Sequence, residues 1–270
     1  MGNESAESSF KLQDRTAVIT GPCNTTNQAI AMKLTQMGAN IALVDRNIDK
    51  MKRFADQLMD AREAQERYGR AVAFQADLSK LHHVQDAITR AAESFGGIDI
   101  FIDGLMTTEV RAFKDPSALD EIDRMIDVNL RSPLMATQAV LRFLEGRKRG
   151  RIIYLMQDIA RLGLPHNGLL AATRSGLSAF ARTLSREVAE NNVTVNCVAV
   201  GITEEFLLAQ SGQEQISIQE AHNRLTKLFP HAQMTEPEKI ANLVAFLASP
   251  LGSGITGQTI AVSQGLSFLS

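Results

Sequence analysis

The first regular pattern in the chain is a five-residue run of apolar and β-branched side chains, Thr16-Ala17-Val18-Ile19-Thr20, stopped by Gly21. Apolar residues then recur at helical spacing, Ile30, Leu34 and Met37, so the order predicts strand, turn and helix. Gly38 closes that helix, and Asn40-Ile41-Ala42-Leu43-Val44 forms a second apolar run ending in Asp45, completing a βαβ unit. The alternation continues with a helix over 48–68, a strand over 71–75, a helix over 81–95 and a strand over 98–102. Beyond it the pattern predicts helices over 125–144, 171–190 and 237–248, and strands over 151–156, 193–198 and 258–262. Seven strands too apolar to face water, separated by helices, predict a single-domain α/β protein with a doubly wound parallel seven-stranded sheet. One long irregular stretch, 204–234, carries Gly212 and Pro230 and is expected to be a mobile substrate loop or short helices.

A length of 270 residues suits one such domain, read as 11–270, with 1–10 as a disordered N-terminal extension. The net charge of −2 offers no basic face, which argues against nucleic acid or an anionic membrane as partner. No run approaches the roughly 18–20 apolar residues of a spanning helix, and the polar start lacks a signal peptide's apolar segment, so a cytoplasmic chain is expected. Gly2 does not make a myristoylation signal, because Ala6 stands where Ser or Thr is required. Cys23 and Cys197 lack metal-ligand spacing and read as incidental thiols, with no metal expected.

Thr20-Gly21-Pro22-Cys23-Asn24-Thr25-Thr26-Asn27 lies between the first strand and helix, where a glycine-rich turn lets a pyrophosphate approach a helix N-terminus. Two readings stand side by side: a phosphate turn, or a helix start capped by Asn24, Thr25 or Thr26. Asp45, 24 residues after Gly21, stands where an acid accepts hydrogen bonds from ribose hydroxyls, and the adjoining Arg46 suits a 2′-phosphate. Asp77-Leu78 follows the third strand, and Asp77 reads equally as a cap for the next helix.

With Asp103-Gly104-Leu105-Met106, Val128-Asn129-Leu130, Gly150 to Gln157, Thr194 to Gly201 and Ile255 to Gly265, these segments resemble the short-chain dehydrogenase/reductase family from about Leu12 to Gly265. Within the family, the chain looks most like the 3-oxoacyl reductases. The resemblance implies a Rossmann-type sheet and an NAD site built on Gly21, Asp45, Asp77 and Leu78, with Asp45 favouring NAD over NADP. It also exposes departures. The family's TGxxxGxG has Thr25 and Asn27 at its later glycines, and its NNAG turn has become Asp103 to Met106. Of the catalytic tetrad only Asn129 is retained; Gln157 stands at the serine, and Leu170 and Arg174 stand at the tyrosine and lysine of YxxxK.

Carbonyl reduction by hydride needs a proton delivered to the developing alkoxide, and a leucine has none to give. Arg174 keeps the positive charge, but its rigid fork is not equivalent to an ammonium group. The two tyrosines do not substitute: Tyr68 is expected in a helix facing elsewhere, and strand alternation turns Tyr154 away from the Gln157 side. His166 and Asp158 are the titratable candidates for a replacement acid between Gln157 and Leu170.

The resemblance and the losses together imply a non-catalytic subunit of a hetero-oligomeric NAD-dependent dehydrogenase. Its substrate would be a hydroxyacyl or oxoacyl thioester or a similar alcohol. The partner is a homologous catalytic chain, or the chain itself, met through 125–144, 171–190 and 237–262. Two alternatives remain: an active oxidoreductase using His166 as proton donor, and a regulatory protein holding adenine nucleotide on Asp45 and Asp77. NAD as cofactor and no cofactor at all both stay open. The basic tract Gly146 to Arg151 reads as a solvated loop.

Overall fold

The computed structural model describes residues 11–63, 68–107, 112–229 and 233–267. The expectation of a disordered extension over 1–10 lies outside the described residues. Seven parallel strands form one sheet in the order β3-β2-β1-β4-β5-β6-β7. They are β1 (Thr16–Thr20), β2 (Asn40–Asp45), β3 (Ala71–Gln75), β4 (Ile100–Asp103), β5 (Arg151–Gln157), β6 (Thr194–Val200) and β7 (Thr259–Val262). The winding reverses between β1 and β4, and a doubly wound sheet presents its ligand crevice outside the carboxyl ends of the strands at that reversal.

Three helices cover one face: α1 (Thr25–Gln36), α2 (Ile48–Glu63) and α9 (Pro237–Ala248). The other carries α3 (Leu81–Phe95), α5 (Ser132–Arg147) and α6 (Gly168–Glu187). Every side chain of β5 is buried, and alternation divides them between the two layers. Ile152, Tyr154 and Met156 join Val18, Phe101 and Val195 on the α3/α5/α6 side, while Ile153 and Leu155 meet Ile19, Leu34 and Val244 on the other. Tyr154 buries its ring between Phe101 and Phe180 and satisfies its hydroxyl against Thr137 Oγ1 at 2.6 Å, facing away from Gln157 as alternation requires.

Two expectations need correction. The helix expected over 48–68 is described over Ile48–Glu63, its continuation over 64–67 lies outside the described residues, and Tyr68 lies not in a helix but in the segment leading into β3. The helix expected over 125–144 is three pieces: a short α4 (Ile122–Ile126), one π-helical turn at Asp127–Arg131, and α5, which has Pro133 in its first turn. Proline lacks the N–H that a continuous helix would donate, and a π turn is the local widening that accommodates such a break. The stretch 204–234 takes the short-helix form of its two expected ones, with α7 (Glu204–Glu214) and α8 (Ile218–Leu228) capped by the Thr203 and Ser217 hydroxyls.

The basic tract is not simply a solvated loop. Arg149 pairs with Asp99 at 2.8 Å, and Arg151 is buried with its guanidinium on the Gly150 carbonyl at 2.9 Å. Cys23 and Cys197 are both free thiols, and burial pushes that of Cys197 up to about 11. Among the described residues, no helix is long and apolar enough to cross a membrane, and no group of three or more His, Cys, Asp or Glu side chains could hold a metal ion.

Candidate functional site

Gly21 ends β1 in the left-handed region, φ +61°, where a side chain is strained. A Cβ there would also sit 2.9 Å from the backbone of Leu105, so the turn lies directly against the exit of β4. In the next turn Asn24 is the N-cap of α1, its Oδ1 accepting from Asn27 N–H at 2.7 Å, one of the three caps expected for that helix.

Asn27, which replaces a family glycine, is fully buried and donates its carboxamide N–H groups to two carbonyls, Gly21 O at 2.7 Å and Gly104 O at 2.8 Å. A Cβ on Gly104 would fall on that carboxamide. The two departures are therefore one exchange: a glycine of the first turn has gained a side chain and the residue after β4 has lost one. The chain bonds that join β1 to β4 remain, but the room beside the turn is filled.

The same self-satisfaction governs Asn129. It sits fully buried in the π turn, its Oδ1 accepting from Thr107 N–H at 3.2 Å and from Arg174 Nη2 at 2.8 Å. Arg174, also fully buried, donates from Nη2 to Leu105 O at 2.9 Å as well. The guanidinium thus ties α6 to the π turn and to the β4 exit, in place of reaching a ligand. Burial pushes its pKa down to about 10, with Asp103 opposing, so it stays charged at neutral pH. Burial pushes the Asp103 carboxyl up to about 6 against the opposing pull of Arg174 and a 2.7 Å hydrogen bond from Thr20 Oγ1.

Leu170 is fully buried in an apolar cluster with Met125, Ile159, Ile202, Phe206, Leu207 and Leu225. The neighbouring hollow is lined by Gln157, Ile159, Val200, Gly201, Ile202, Phe206 and Leu266 and has no room for a water-sized molecule. Gln157 Oε1 is buried there without a partner. His166 is exposed on the turn before α6, with φ 71°, and is not among the residues lining that hollow. Asp158 is fully buried and taken by Arg161 at 3.1 Å and Ser267 Oγ at 2.6 Å. The β4–β6 end of the crevice therefore brings together Asn129, Gln157, Leu170 and Arg174, and among the described residues no titratable acid lines the hollow beside Leu170.

The other end is open. A cleft of about 650 Å³ is lined by Asp45, Arg46, Asp77, Leu78, Leu105, Met106, Asp123, Arg124 and Asp127, among others. Asp45 accepts from Asn47 N–H at 3.2 Å. Asp77 holds the Ser79 hydroxyl at 2.7 Å, and those Ser79 bonds keep its carboxyl below the usual range. Asp77 shapes this turn rather than capping α3, whose N-cap position, Lys80, makes no side-chain cap bond. Leu78 is buried, its carbonyl accepting from Ser132 Oγ.

A whole dinucleotide does not fit these residues. The adenosine end has room and the ribose acid; the nicotinamide end is filled; and between them a carboxylate that sequence reasoning missed, Glu205, accepts from Thr25 N–H at 2.6 Å at the start of α1. The signal available for its helix was the Ser/Thr-x-x pattern of its cap, while its contact joins residues 180 positions apart.

A reversed parallel sheet with its crevice at β1/β4, a βα turn beginning Thr20-Gly21 and an asparagine-bearing π turn define a nicotinamide-dinucleotide oxidoreductase scaffold. The chain belongs to the short-chain dehydrogenase/reductase family. The family profile described as enoyl-(acyl carrier protein) reductase matches residues 27–267. Nodulation protein G of Rhizobium sp. (strain N33) is 30% identical over 260 residues, covering 96% of this chain and all of that protein. The 3-oxoacyl-[acyl-carrier-protein] reductase FabG of Aquifex aeolicus is 28% identical, over 95% of this chain and 99% of its own. A dehydrogenase/reductase from Sinorhizobium meliloti 1021 superposes with a TM-score of 0.81 at 27% identity, covering 98% of this chain and 99% of that one.

Proposed function

We propose that the chain is a redox-silent member of the family that serves as a subunit beside a catalytic homologue in an NAD-dependent dehydrogenase, with self-association the alternative assembly. The observation that carries this reading is Leu170: at the family's tyrosine position stands a fully buried aliphatic side chain inside an apolar cluster. A hydride can reach a carbonyl productively only if the alkoxide is protonated, and among the described residues no ionisable donor lines the hollow beside Leu170. Gln157 and Arg174 support the same reading, since neither supplies a proton and Arg174 is spent on Leu105 and Asn129. The substrate class of the assembly, a hydroxyacyl or oxoacyl thioester or a similar alcohol, is supported by the acyl-carrier-protein reductases among its relatives.

The test is co-expression with a dehydrogenase encoded beside this gene and carrying an intact YxxxK. A stable complex whose thioester turnover exceeds that of the catalytic chain alone supports the subunit reading. Separate elution, with the catalytic chain unaffected, overturns it. The open cleft at Asp45 and Asp77 favours a second reading, a regulatory protein that holds an adenosine-bearing ligand without turnover.

A further inference from the structure

The crevice is divided by a contact that the chain makes with itself. Glu205, in the first turn of α7, accepts a hydrogen bond from the backbone N–H of Thr25, the first residue of α1. That position is the positive end of the helix, where free N–H groups and the aligned peptide dipoles attract an anion. It is also where the family scaffold would seat a dinucleotide's diphosphate. Neighbouring donors are taken internally too: Asn27 N–H goes to the Asn24 side chain and Gln28 N–H to the Asn24 carbonyl.

The carboxylate is held in place from its own side. Thr203 Oγ1 caps α7 by accepting from Phe206 N–H at 3.2 Å, and Phe206 and Leu207 are buried in the apolar cluster that contains Leu170. Glu205 thus leaves a rigidly anchored helix start and reaches across to the turn.

We propose that Glu205 is an intramolecular latch: its carboxylate takes the place of a diphosphate at the start of α1, excludes ligands that carry one, and holds α7 down across the crevice. A diphosphate entering this seat would have to displace the carboxylate or lie against it, and like charges at such range repel. The latch stands apart from the redox-silent reading, which rests on Leu170; it would operate equally in a chain that turned over.

The test is calorimetric titration with ADP-ribose, which carries the adenosine and the diphosphate without the nicotinamide, of the purified full-length chain and of its Glu205→Ala and Glu205→Gln variants. Alanine removes both the contact and the charge; glutamine keeps the shape and an acceptor and removes only the charge. Both variants are expected to bind ADP-ribose about tenfold or more tightly than the parent, a change equivalent to a single well-placed charge interaction. In Glu205→Ala, amide exchange over residues 22–28 and 203–209 is expected to accelerate. Equal ADP-ribose affinity in all three proteins, whether all bind or none does, overturns the latch, and so does unchanged exchange in the alanine variant. The readout is binding, so its failure is distinguishable from any finding about turnover.

Discussion

At the β1–β3 end of the crevice, polar side chains face an open cleft of about 650 Å³; at the β4–β6 end, the equivalent positions have turned inward and bond to the protein. Asp45 and Asp77 keep bonds only to their own turns, leaving carboxylate surface toward the cleft. Asn129 and Arg174 instead consume each other and the Leu105 and Thr107 backbone, and Leu170 packs as core. The difference teaches that access decides before satisfaction does: at the filled end Gln157 Oε1, Arg174 Nε and Asp103 Oδ2 are buried without a partner among the described residues, yet the hollow there has no room for a water-sized molecule. A buried polar group left unpaired is a cost to the fold and not a site unless there is space beside it.

The largest expected contrast comes from Arg174. Arg174→Met leaves the buried Leu105 carbonyl and Asn129 Oδ1 without the guanidinium they bond, and each buried acceptor so orphaned costs about 1–3 kcal/mol, read as a lowered urea midpoint. Asp45→Asn at the open end should move the same midpoint by no more than about 0.5 kcal/mol. Comparable losses at both sites would dissolve the distinction between the two ends.

Leu170→Ala should cost about 2–5 kcal/mol, because a fully buried leucine leaves both lost burial and a cavity. A near-neutral result would mean that the hollow beside it is elastic rather than filled.

The buried Asp103 carboxyl also gives a pH signature. Because burial holds the Asp103 carboxyl at about 6 rather than 3.8, the folded chain keeps a proton that the unfolded chain releases. The stability this group contributes is fully present below about pH 3.8, is lost as the pH rises to about 6, and is constant above. The loss amounts to roughly 3 kcal/mol at most, at about 1.4 kcal/mol per pKa unit. Other carboxylates titrate in the same range, so the measurement is the difference between the parent and Asp103→Asn, from which this slope should vanish.

A smaller effect tests the exchange at β1/β4. Gly104→Asn should be destabilising alone, because its Cβ meets the Asn27 carboxamide, and Asn27→Gly should be destabilising alone, because it orphans two carbonyls. Combined, they should recover stability, with a coupling of about 1–3 kcal/mol in the double-mutant cycle. Additive losses would show that the two positions are independent.

Sequence made the sheet legible because parallel strands buried on both faces read as continuous apolar runs bounded by glycines and polar turns; β1 and β3 lie at their expected bounds, as do α3 and α9. The break at Asp127–Arg131 escaped because its apolar spacing is that of an ordinary helix, with Pro133 the one local clue. In the stretch 204–234, Ser217-Ile218-Gln219-Glu220 carries a capping-box pattern that marks the start of α8. The losses at Asn27 and Gly104 were each visible in the sequence, yet their pairing spans 77 residues and depends on where two carbonyls point. Glu205 gave no signal because an acid in the first turn of a helix is ordinary there, and only the fold brings it to Thr25.

The central claim, that this crevice does not carry hydride chemistry by itself, is tested most directly by turnover of the purified chain alone. An acetoacetyl thioester would be offered with NADH and with NADPH, and nicotinamide absorbance followed. The account predicts oxidation no faster than in buffer, for the parent and for His166→Ala alike. Sustained oxidation by the parent, abolished in His166→Ala, would contradict it and make the exposed histidine the proton donor of an active enzyme.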